Sequence, residues 1–266
     1  MWVTMWVILA VFLSLYLLQS FLEGGNAWWG FLPSLLIIAT LSFLDDRNPL
    51  SAEIRLFWHI LAAVLFLVLT ADHSVRHASE ESETLNGLLL AIKLCTIVWM
   101  LNLYNFMDGM DGLASAMGVI GFAGIALIAA AHEGHDLAKG ALLLASACCG
   151  FWFVNAPPGK LFMGDVGSTS LGFMAAALGS WANDTGKVPW WATMLIFAPF
   201  IVDASWTLGR RFLRGAPLFQ AHREHLYQRL LASGYSSWQI LGIYYMAMLC
   251  CVGAAFCLST CELSGW

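Results

Sequence analysis

Charge is scarce in this chain: 11 % of its 266 residues are charged, whereas 60 % are apolar. A soluble domain carries roughly 25 % charged residues, so this balance excludes an ordinary soluble fold. No stretch is strongly basic and the net charge is −5, which argues against nucleic acid as a partner. The cysteines (Cys95, Cys148, Cys149, Cys250, Cys251, Cys257 and Cys261) lack zinc-like spacing to histidine. Inside apolar runs they read as small core residues rather than ligands or disulfide partners. The first 22 residues have neither the positive head nor the small-residue cleavage site of a signal peptide, and read as a retained helix. No internal repeat is evident, which weighs against a transporter built from duplicated halves.

What is there is a series of long apolar runs. Measured against the ~20 residues that a bilayer core demands, they give about nine candidate helices. These lie near 3–22, 30–44, 54–71, 86–101, 113–131, 138–154, 168–182, 189–206 and 238–260. The expected fold is an all-α polytopic transmembrane bundle, one domain over 1–266 with no separate soluble part. Alternation of the spans gathers the Asp45-Asp46 loop, the Asn102–Asp111 segment, the Asp165 loop and the His222–Arg229 segment on one side. Arg47, Arg55, Lys160, Arg210, Arg211, Arg214, Arg223 and Arg229 fall on that side too, whereas Arg76, Lys139 and Lys187 lie opposite. Positive residues stay inside, so the motif face is expected to be cytosolic, with the N-terminus cytosolic and the C-terminus periplasmic. Trp28–Trp29 and Trp190–Trp191 are then expected at the outer interface.

The motifs carry the chemistry. Asp45 and Asp46 close an apolar run; two adjacent carboxylates at a helix C-terminus meet an unfavourable dipole and repel one another. A divalent cation or a shared proton would compensate them, and a plain solvated helix exit is the equal alternative. Asn102, Asn105, Asp108 and Asp111 recur every three residues, which on a helix lines one slowly rotating polar face. Asp165 lies between Gly164 and Gly167 near a helix start, where backbone N–H groups suit an anion and a nearby carboxylate suits an anion-bound Mg²⁺. Phe162 beside it reads equally as interface packing or as a platform for a planar base. His222, His225 and Arg229 are expected on one face of a short helix, donors for a pyrophosphate-bearing substrate. Arg210, Arg211 and Arg214 read as orienting charges. Asp203 is an intramembrane acid with Arg210 or Arg211 as the expected partner. Lys93 snorkels outward and receives no role.

Taken in order, Asp45-Asp46, NxxNxxDGxDGLA over 102–114, FMGDxGS over 162–168 and HREHLYQRL over 222–230 resemble the polyprenyl-phosphate sugar-1-phosphate transferases, the glycosyltransferase family 4 membrane enzymes. The HREH form looks more like the branch that starts O-antigen and related glycans than the triple-histidine peptidoglycan form. The resemblance implies transfer of a sugar-1-phosphate, an N-acetylhexosamine, from a UDP-sugar to undecaprenyl phosphate in a bacterial inner membrane, releasing UMP. It implies Mg²⁺, with Mn²⁺ as a substitute, held by Asp165 with Asn105. It further implies Asp45 as the base on the lipid phosphate with Asp46 in support, and Asp108 and Asp111 near nucleotide and metal. Phe162 becomes the uracil platform, His222 and His225 become donors to the diphosphate or sugar, and Asn102, Asn105, Arg223 and Arg229 become substrate-binding residues.

Family members normally begin with a further helix and a cytosolic Pro-x-Pro-x-Gly-Gly loop. This chain starts at what looks like the second family helix, with Gly24-Gly25 on the other side. A non-catalytic homologue that binds lipid or partner proteins is therefore the alternative expectation, and a transporter a weaker one. A membrane homodimer is compatible with the sequence.

Overall fold

A computed structural model describes residues 30–71, 83–217 and 222–264. Those residues form ten helices and no strand: α1 (Phe31–Arg47), α2 (Ala52–Leu69), α3 (Glu83–Phe106), α4 (Leu113–Ala131), α5 (His135–Asn155), α6 (Gly164–Asp184), α7 (Trp190–Ile196), α8 (Ala198–Leu213), α9 (Leu226–Ala232) and α10 (Ser237–Ser264). The expected span at 3–22, Gly24-Gly25, Arg76 and the pair Trp28–Trp29 lie outside the described residues. Among the described residues five helices are long and apolar enough to cross a membrane (α2, α3, α4, α5 and α10), or six if the bent pair α7–α8 is one span.

Local chemistry sets the boundaries. Pro49 disfavours helical backbone at the residue before it, and Asn48 duly turns extended at φ −139°, ψ 104°. Ser51 then caps α2, its hydroxyl accepting the Ile54 N–H at 3.4 Å. The expected continuous span 189–206 is broken instead: α7 and α8 meet at 75°. Pro199, near the start of α8, has no N–H to give and its ring clashes with the preceding turn.

Helix α6 is the axis around which the site is built. Its run of Gly, Ser, Thr and Ala leaves it buried almost from end to end, and such small residues let membrane helices approach closely. A Cβ on Gly172 would stand 2.4 Å from the Met100 carbonyl oxygen of α3, and one on Gly179 2.4 Å from Thr193. On its other flank Thr169 shares a 2.8 Å hydroxyl hydrogen bond with Ser42 of α1. At the far end Lys93 does find a partner, Asp184, at 2.5 Å. The expectation of cysteines as core residues holds for Cys148; Cys95, Cys250 and Cys257 are exposed.

Candidate active site at the polar end of the bundle

Successive helical residues are about 100° apart, so the two carboxylates ending α1 diverge. Asp45 is buried and turns toward α2, accepting the Leu50 N–H at 2.6 Å and the Arg55 guanidinium at 3.3 Å. Asp46 turns toward the start of α6 and accepts the Asp165 N–H at 3.4 Å. Burial holds the Asp46 carboxyl above the ordinary aspartate range, against the pull of the Asp165 and Val166 N–H groups. The N-terminus of α6 thus behaves as an anion site, filled here by the protein's own carboxylate. Asp165 itself is pushed up to about 6, by burial first and then by the charges of Asp46 and Asp45, while a hydrogen bond from Asn105 and the charge of Arg55 pull it down.

The run from Asn102 to Asp111 does not lie on one helix. Helix α3 ends at Phe106, so only Asn102 and Asn105 are helical, and Asp108 and Asp111 occupy the loop to α4. Gly112, at φ +79°, turns that loop into α4, a conformation that favours glycine. Its N–H donates to Oδ1 of buried Asn155, which also accepts from Ser115 and donates to the Leu161 carbonyl. Asp111 accepts the Gly159 N–H at 3.0 Å. The α3–α4 and α5–α6 loops are therefore stapled together, and Asp111 is engaged in that staple. Burial raises Asp108 well above the usual range, followed by the charges of Asp165, Asp111 and Asp46. Asn155 was not singled out by sequence reading. Its only signal is a lone amide at the end of an apolar helix.

The histidine segment is also rearranged. Helix α9 begins only at Leu226, with His225 as its N-cap and His222 in the extended stretch before it, so His222, His225 and Arg229 do not share a helical face. Tertiary contacts bring the two imidazoles together anyway, 4.9 Å apart. His225 stacks with the rings of Phe106 and Tyr227, their centroids 6.2 and 6.0 Å away. The Tyr227 hydroxyl donates to the Phe106 carbonyl at 3.1 Å, and a Cβ on Gly109 would sit 2.1 Å from that hydroxyl. Asp203 does not pair with Arg210 or Arg211, which both engage Glu224. It accepts instead from the Leu226 N–H at 2.8 Å and the Tyr244 hydroxyl at 2.5 Å, and lies 3.7 Å from His225 Nδ1. An acid inside the membrane region thus anchors the start of α9. Burial, then the charges of Arg211 and His225, hold His222 below the ordinary imidazole range.

These groups open on a cavity of about 970 Å³. Asp45, Arg55, Asn102, Asn105, Asp165, His222 and His225 line its polar part, and Leu41, Leu56, Ile60, Val98, Leu208 and Phe212 its apolar wall. Asp46, Asp108 and Asp111 are half-buried and do not line it, and Phe162, Arg223 and Arg229 are exposed and outside it. Among the described residues no three His, Cys, Asp or Glu side chains could enclose a metal by themselves. Asp165 with its Asn105 partner nonetheless suits Mg²⁺, which takes one or two carboxylates and completes its shell with water and phosphate oxygens. Burial, and after it the charges of Asp46 and Asp45, hold Asp165 near 6, and a cation relieves both the lost hydration and the repulsion.

Comparison with known proteins fits this geometry. The sequence profile described as glycosyl transferase family 4 matches residues 28–182. A probable undecaprenyl-phosphate N-acetylglucosaminyl 1-phosphate transferase of Bacillus subtilis is 30 % identical over 228 residues, covering 82 % of this chain and 62 % of the relative. A phospho-N-acetylmuramoyl-pentapeptide-transferase of Microcystis aeruginosa is 31 % identical, over 82 % of this chain and 67 % of its own length. A decaprenyl-phosphate N-acetylglucosaminephosphotransferase of Mycobacterium leprae is 29 % identical, over 90 % and 67 %. The chain thus spans about two thirds of the length of these relatives.

Proposed function

The chain belongs to glycosyl transferase family 4, and from that premise we propose that it moves an N-acetylhexosamine-1-phosphate from a UDP-sugar to undecaprenyl phosphate. The products are a lipid-linked diphosphate sugar and UMP, and the reaction opens assembly of a cell-surface polysaccharide such as an O-antigen. In this reading the bundle crosses a bacterial inner membrane about nine times with its polar end in the cytosol, which the lysine and arginine distribution supports.

One observation carries the proposal: a polar end with carboxylates, an amide and two imidazoles continues into an apolar wall within one cavity. A soluble sugar nucleotide and a hydrocarbon-tailed phosphate need such a mixed site. An oxygen of the lipid phosphate forms a bond to the sugar-bearing phosphorus as the bond from that phosphorus to the UMP oxygen breaks. Asp45 accepts the proton that the lipid phosphate still carries, and Asp46 fixes the N-terminus of α6. His222 and His225 offer N–H donors to the diphosphate. Asp165 and Asn105 would hold Mg²⁺, which when bound screens the phosphate charges that must meet.

The test is transfer from radiolabelled UDP-N-acetylglucosamine and other UDP-sugars to undecaprenyl phosphate by the purified full-length protein. Labelled lipid and UMP in equal amounts, lost with EDTA and restored by Mg²⁺, are expected. Absence of lipid product with every UDP-sugar would overturn the reading.

A further inference from the structure

Two polar groups on α2 line the cavity, and only Arg55, through Asp45, has so far been given a partner. Arg55 and His59 stand one turn apart, so they share a helical face, and both line the cavity beside apolar Leu56 and Ile60. Across from them α3 contributes Leu94, Cys95 and Val98. His59 is only 4 % exposed in a helix that is otherwise almost wholly apolar over this stretch. A buried imidazole costs stability unless its nitrogens are used.

Asn102 shows how one of them is used. Its Nδ2 donates to the Val98 carbonyl at 2.7 Å, which fixes the amide orientation because only the N–H end can face a carbonyl. The same nitrogen lies 3.5 Å from His59 Nδ1. Nδ1 is therefore the acceptor, and the neutral ring carries its proton on Nε2 as a donor. Arg55 spends one guanidinium nitrogen on Asp45 at 3.3 Å, and a guanidinium has five N–H groups in a rigid fork. Donors from two residues thus sit where the polar end of the cavity gives way to its apolar wall, with Asp45 adjoining.

We propose that Arg55 and His59 form the seat of the acceptor's phosphate, and that Asn102 is a positioning residue which sets the His59 tautomer. The ligand is a phosphate monoester of a long hydrocarbon: its head needs these donors, its tail needs the wall running along α2 and α3, and Asp45 lies within reach of its proton. This assignment rests on the transferase reading above and gives its lipid substrate a definite place. It moves Asn102 from touching substrate to acting through His59.

The test uses the full-length protein in detergent and two readouts. Binding of a short-chain polyprenyl phosphate is compared with binding of the matching polyprenol, and KM is measured for each transfer substrate. Wild-type protein should prefer the phosphate over the alcohol. His59→Leu should erase most of that preference and raise KM for the lipid phosphate about tenfold, as loss of a hydrogen bond to a charged group does. KM for the UDP-sugar should stay unchanged. His59→Gln, which keeps an N–H donor, should recover most of the effect, and Asn102→Ala should fall between. An unchanged phosphate preference in His59→Leu, or a rise in KM for the UDP-sugar alone, overturns the seat. Should His59→Leu fail to fold, Arg55→Gln decides: a retained phosphate preference overturns the proposal. Phosphate-selective binding without any sugar transfer would sink the transferase reading and leave the seat standing. Normal transfer with indifferent variants would do the reverse.

Discussion

Helix α6 carries an aspartate near each end, and the chain treats the two differently. Asp184 meets Lys93 at 2.5 Å, its charge matched by the protein itself. Asp165 lies among Asp46, Asp45 and Asp108, and no lysine or arginine forms an ion pair with it among the described residues. A buried carboxylate that the protein neutralises is part of the architecture. One that the fold crowds with its own kind stores repulsion, which a proton or a cation relieves. Asp203 is the intermediate case, satisfied by the Leu226 N–H and Tyr244 while also holding His225 in place.

The largest expected effect separates the two ends of α6. Asp165→Asn should lower sugar-phosphate transfer roughly 100-fold or more, with an unchanged or higher melting temperature, since it removes one of several repelling charges. Transfer assay and thermal melt of the same sample check both halves. Lys93→Met should do the opposite. Leaving Asp184 in a half-dry setting without its lysine should cost stability by roughly 3 kcal/mol, visible as a lower melting temperature, with turnover per folded molecule retained. The double variant Lys93→Met/Asp184→Leu should regain most of that loss. If Lys93→Met instead abolished turnover at full stability, the contrast between the two ends would fail.

Asp203→Asn probes the middle case. It should lower kcat about tenfold by loosening the start of α9, with little change in KM for the lipid phosphate. Asp203→Glu should restore part of the activity. The smallest effect is a pH dependence of cation binding, read by manganese paramagnetic resonance. Because the metal-free Asp165 carboxyl titrates near 6, a proton competes with the cation below that pH. Affinity should therefore be full above about pH 7 and fall by up to about tenfold per unit below 6. Affinity that is flat from pH 7 to pH 5 would place the cation elsewhere.

The sequence made the helices and the motifs legible for a plain reason. Apolar runs of bilayer length have one stable use, and charged residues inside them are costly enough to be placed with care. Asp45, Asp165, Asn105, His222 and His225 stood out because their residue types clash with their surroundings. Asn155 and His59 did not, since a single amide or imidazole in an apolar helix looks the same whether it faces lipid or a partner. The regular spacing of Asn102, Asn105, Asp108 and Asp111 pointed to a helix that ends at Phe106. The expected partnership of Asp203 with Arg210 or Arg211 gave way to the backbone of α9, because a residue far along the chain came closer in space.

Hydrophobic patterning alone, then, was enough to dictate an all-helical membrane-type chain whose acids and imidazoles cluster between the helices. Folding in three dimensions decided which of those acids is paired and which is left crowded. It also set Asp45 and Asp46 facing different helices, stacked His225 with two rings, and placed Arg55 and His59 at the border of polar and apolar walls. The difference has a physical origin: burial in lipid is read residue by residue along the chain, whereas hydrogen bonds and charge compensation depend on distances that only the packed helices fix.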